Sequence, residues 1–105
     1  MKIPEKIDIL GVEYQVKITD NIVKDITEAG ASPKDNSVTV GYFSSFHETI
    51  WLDNKLKKKQ LERVFLHEII EVIRHDLAMQ ISHGDIDRLE HALYYVLDKN
   101  KLLKE

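Results

Sequence analysis

Val64-Phe65-Leu66-His67-Glu68-Ile69-Ile70-Glu71-Val72-Ile73-Arg74-His75 sets histidines and carboxylates into an otherwise apolar run. On a helix, positions i and i+4 lie one above the other, so His67 and Glu71 share a face with Glu68 beside them. Projected at about 100° per residue, Leu61, Phe65, Leu66, Ile69, Ile70, Val72, Ile73 and Leu77 cover a broad apolar side. His67, Glu68, Glu71 and His75 fill the remaining wedge. A helix with so wide an apolar side is substantially buried, and carboxylates adjoining a core need partners. A metal ion is one such partner. Solvent is the other, and with solvent there Glu71 and His75 are an ordinary i,i+4 pair worth a few tenths of a kcal/mol.

Upstream of this helix the pattern changes to alternation. Ile7 and Ile9 precede Gly11, and Val12, Tyr14, Val16 and Ile18 follow it, which predicts strands over 5–9 and 12–19 joined at a tight turn or bulge. Asp20 or Asn21 can cap a short helical turn through Ile22, Val23 and Ile26 that Gly30 stops. The breaker-rich stretch from Ala29 to Ser37 reads as loop. Two further strand-like runs predict strands over 37–43 and 48–52, with His47 exposed at the turn between them. Asp53 or Asn54 then caps the long helix, expected over about 55–79. Ser82 or Asp85 starts a second helix whose apolar stripe is Ile86, Leu89, Leu93, Val96 and Leu97. The expected fold is α+β: one domain over residues 1–105, with about four strands in a small twisted antiparallel or mixed sheet packed on the long helix, and a second helix closing the chain.

With 105 residues, 43% hydrophobic and 31% charged, the chain supports one compact core. A formal net charge of -3 argues against a dedicated nucleic-acid binder. Lys55, Lys57, Lys58 and Lys59 form a basic cluster that reads as a solvated helix face. There is no cysteine, so thiolate metal sites and cysteine nucleophiles are excluded, and any metal must be held by His, Asp and Glu. Neither a leader peptide nor a membrane span is legible, and a soluble cytoplasmic protein is the expectation.

Histidine-glutamate-x-x-histidine helices hold zinc through the outer residues and use the inner glutamate as general base. Here Glu71 stands in the second position. Two helices joined by a short loop run antiparallel, and mirroring them about residue 81 brings residue 71 level with 90 or 91. Glu90 borders the apolar stripe of the second helix, whereas His91 points largely away, so Glu90 is the better candidate third ligand. Its competing role is an ion pair with Arg63 or Arg74. His83 lies nearer His75 than His67, and Asp87 is closer to the right level but further off the stripe.

His67-Glu68-x-x-Glu71, followed after eighteen residues by Glu90, resembles the gluzincin arrangement. More broadly the chain resembles small phage- and prophage-encoded zincin-like proteins. The shared features are Ile9-Leu10-Gly11-Val12-Glu13-Tyr14, the Leu66 to Ile70 helix segment, and the closing Ile86 to Leu89, Leu93-Tyr94 and Val96-Leu97. The resemblance covers nearly the whole length. It implies a minimal zincin working in a bacterial or phage-infected bacterial cell, with zinc held by His67, Glu71 and Glu90 and with Glu68 as general base. It also implies a peptide or protein substrate lying along an edge strand, here Glu48 to Leu52. Replacing an imidazole by Glu71 makes the ligand set charge-neutral around Zn²⁺ and lowers the metal's Lewis acidity. That departure sets two expectations side by side: a zinc-dependent metallopeptidase, and a catalytically inactive zincin-like module that binds a host or phage protein.

Overall fold

The alternating residues on either side of Gly11 form a hairpin in the computed structural model, which describes residues 1–31 and 40–103. Strand β1 spans Lys6–Ile9 and β2 spans Val12–Thr19, paired antiparallel with Ile9 opposite Val12. The two turn residues, Leu10 and Gly11, both have positive φ (54° and 90°), as a type I′ hairpin requires, and the Gly11 N–H donates to Asp8 Oδ1 at 2.8 Å. Helix α1, Ile22–Glu28, follows with Asn21 as its N-cap. The breaker-rich stretch and the start of the third expected strand fall largely on residues 32–39, outside the described residues. Strand β3 is Gly41–Ser44, β4 is Thr49–Asp53, and helices α2 (Lys58–Asp76) and α3 (His83–Lys99) complete the fold.

The sheet is mixed, in the order β1-β2-β4-β3. Strand β4 runs parallel to β2 and antiparallel to β3. This corrects the expectation that the fourth strand forms an edge: β1 and β3 are the edges, and β4 is central. The reason lies in its residues. Thr49, Ile50, Trp51 and Leu52 are all buried, an unbroken run rather than an alternation, because helices lie on both faces. Ile50 and Leu52 join Tyr14, Val16, Phe65 and Val72 in the main core beneath α2. Trp51 points the other way, onto Ile22 and Ile26 of α1. His47, expected to be exposed, is half-buried: its ring packs edge-on against Trp51, and its Nδ1 lies 2.7 Å from Ser44 Oγ.

Both ends of the long helix differ from expectation. It starts at Lys58, where Gln60 Oε1 accepts from the Lys57 N–H at 3.2 Å, whereas Asp53 instead accepts from the Lys55 N–H within the preceding turn. It stops at Asp76 because Ala78 turns left-handed (φ 50°), letting the Met79 N–H return to the Arg74 carbonyl at 2.9 Å. Helix α3 then packs back along α2. Among the described residues no helix is long and apolar enough to cross a membrane.

Candidate metal centre

The polar wedge of α2 does not face a single environment. Glu68 is buried (7% exposed) beneath β3, where a Cβ built on Gly41 would meet its Oε2 at 3.1 Å. His75 is exposed, with its ring edge-on to Phe43 of β3 at 6.0 Å. His67 and Glu71 turn toward α3.

Ser82 makes the α3 side of the site by capping that helix, its Oγ accepting from the Asp85 N–H at 3.0 Å. His83 therefore opens the helix, and Asp87 stands one turn further on, the same i,i+4 spacing that relates His67 to Glu71. Where the helices meet, these four residues close a polar ring. Glu71 Oε2 lies 3.1 Å from His83 Nδ1 and 3.7 Å from His67 Nε2. Asp87 completes it, with Oδ1 3.1 Å from His67 Nδ1 and Oδ2 3.8 Å from His83 Nε2. The two imidazole rings are 5.0 Å apart at 69°. One ligand atom from each of His67, His83 and Asp87 falls within 4.8 Å of the others, a group that can hold a metal ion. It is open on one side: His67 and Glu71 are nearly covered, while His83 and Asp87 are 68% and 57% exposed.

The electrostatics separate the two glutamates. Burial pushes the Glu68 carboxyl up to about 8, with the Glu71 charge adding to the effect. For Glu71, burial also acts upward and is the largest single influence. Hydrogen bonds from Arg74 and His83, with the charges of Arg74 and His67, outweigh it and hold the carboxyl below its ordinary value. Arg74 Nε donates to Glu71 Oε1 at 3.0 Å, leaving Oε2 to face the two histidines. Glu71 is thus a fixed anion, whereas Glu68 is a carboxyl that exchanges its proton near neutral pH.

Glu90, the expected distal ligand, is elsewhere. It is buried (7% exposed) and accepts from Arg63 Nε at 2.9 Å and Nη2 at 3.4 Å, the competing ion pair, and it is not part of the histidine group. His91 is exposed and also outside that group. The cause is a shift in level. The contacts Glu71–His83, His67–Asp87 and Arg63–Glu90 are each centred on about residue 77, not 81. With α2 ending at Asp76, the connection returns along it for about a turn before α3 begins. His83 consequently reaches Glu71 and His67, and not His75. The sequence signal that could have found this is Ser82 followed by His83-x-x-x-Asp87, a capped helix start presenting two metal-ligand types on one face.

Comparison with known protein families, curated proteins and solved structures finds no match to this chain.

Proposed function

We propose that the chain is a zinc-dependent hydrolase of minimal zincin type, acting on a peptide or protein. In this reading His67, His83 and Asp87 hold the ion, Glu71 supplies further negative charge, and Glu68 is the general base. The observation that carries the reading is the ring in which two imidazoles and two carboxylates from two helices converge. Two histidines with a carboxylate are the donor set many zinc hydrolases use, and two carboxylates offset the charge of a divalent cation. The ion, when bound, supplies Lewis acidity, polarising a carbonyl or acidifying water.

The rest of the chemistry belongs to the chain's own side chains. Asp87 Oδ1 and Glu71 Oε2 orient the imidazoles through the two 3.1 Å contacts, to His67 Nδ1 and His83 Nδ1, which leave Nε2 of each ring for the ion. Arg74 anchors Glu71 through the oxygen that faces away from the histidines. Glu68 follows His67 on α2 but is buried beneath edge strand β3 rather than in the ring, so acting as general base requires water or substrate on the β3 side of His67. An edge strand beside such a group suits a peptide held by main-chain hydrogen bonds. The openness at His83 and Asp87 favours this reading over a purely structural ion, because structural zinc sites are closed by four protein ligands.

Incubating zinc-loaded protein with a mixed peptide pool and following new termini by mass spectrometry tests the proposal. Cleavage that Glu68→Gln abolishes while zinc content stays unchanged is the expected result. Stoichiometric zinc without cleavage would instead favour the non-catalytic binding module.

A further inference from the structure

Helix α3 shows only part of itself to α2. Of its residues only Ile86, Glu90 and Tyr94 are buried, and the side turned away from α2 carries Leu89 (49% exposed), Leu93 (38%) and Val96 (50%) with exposed Ala92 between them. Asp85, Leu89, Ala92, Val96 and Lys99 follow one another at spacings of four, three, four and three, the seam spacing of paired helices. An apolar seam with a charge at each end suits a partner helix, and the end charges choose that helix's direction.

We propose that this seam is a two-fold interface between two copies of the chain, with their α3 helices antiparallel and crossing at Ala92. Asp85 and Lys99 lie seven residues to either side of Ala92. Antiparallel pairing therefore sets the Asp85 of each copy beside the Lys99 of the other, and Leu89 beside Val96. A parallel pair would set acid against acid and base against base. The interface is self-complementary, as a two-fold requires, and the small side chain at its centre lets the helices approach closely. Within one chain Asp85 pairs with Arg88, and Lys99 Nζ lies 5.7 Å from the centre of the Tyr95 ring; both charged side chains are exposed, so each can add a contact across the seam. A helix of 17 residues is about 25 Å long. One such helix per copy buries less than a standard stable interface, so the dimer is reversible. His83, Asp87 and the candidate metal centre lie on the flank of α3 toward α2 and stay open in the pair.

Sedimentation velocity of the full chain from about 1 to about 500 µM tests the dimer, with an apparent mass doubling across the range as the expected result. Leu89→Glu should hold the protein at one chain mass with an unchanged circular dichroism spectrum. Because the chain has no cysteine, single cysteines report direction. Ala92→Cys should cross-link to itself under mild oxidation, Asp85→Cys and Lys99→Cys should not, and a mixture of the last two should cross-link to each other. A single chain mass at every concentration overturns the proposal and leaves the seam to a helix of another protein. Self-linking of Asp85→Cys and Lys99→Cys overturns the antiparallel arrangement.

Discussion

Burial beneath β3 makes the charged form of the Glu68 carboxyl costly in the folded protein. Its folded-state value of about 8 lies above the ordinary 4.5, so the folded protein binds this proton more tightly than the unfolded chain does. The contribution to stability is fully present below about 4.5 and is lost as pH rises through about 8. In metal-free protein, stability should therefore fall across that window. Glu68→Gln, which keeps the shape and removes the charge, should stabilise the protein by on the order of 3 kcal/mol at pH 7 and by little near pH 4.5. Urea denaturation of both proteins at several pH values measures it, and parallel pH profiles would show that Glu68 is not the buried acid described. His67, Glu68 and Glu71 were legible in the sequence as a polar wedge because helical spacing alone puts them together. That the wedge splits, with Glu68 under β3 and His67 and Glu71 against α3, was not, because it depends on which neighbour each side meets.

At the scale of elements, local residues marked most boundaries and misplaced two partnerships. The hairpin at Leu10-Gly11 and the Ser82 cap follow from turn and capping chemistry that the residues carry themselves. The end of α2 did not, because Ala78 occupies a left-handed position that glycine normally marks. Missing that stop moved the expected level of α3 by about two turns and exchanged Glu90 for His83 and Asp87. The central position of β4 was likewise hidden, since parallel pairing with β2 is a long-range event, although its unbroken apolar run was a usable clue. The approach of β3 to α2 depends on Gly41, where a Cβ would come within 2.5 Å of Val64 Cγ1. Gly41→Ala should cost about 1 to 3 kcal/mol through overpacking, measured by denaturation. At the hairpin, Leu10→Asn should raise stability by up to about 1 kcal/mol, because asparagine tolerates the positive φ that strains leucine. No change in midpoint for either variant would contradict these packing and turn arguments.

For the whole molecule, the sheet with α2 on one face and α1 on the other holds the two core clusters, and α3 is an outer layer held by Ile86, Tyr94, the Arg63–Glu90 pair and the histidine ring. The Tyr94 hydroxyl donates to the buried Glu62 at 2.7 Å, a further polar tie between the helices. A metal ion between His67 on α2 and His83 and Asp87 on α3 would fasten the outer layer to the core. Zinc should accordingly raise the melting temperature of wild type, and it should do so far less for His83→Ala, which removes the α3 end of the tie. Calorimetric titration of metal-free protein with zinc reads the central claim directly. Wild type and Glu90→Gln should each bind one ion, while His67→Ala and His83→Ala should each lose affinity by about 100-fold or more. No binding by wild type, or binding that His83→Ala leaves unchanged, would contradict the account.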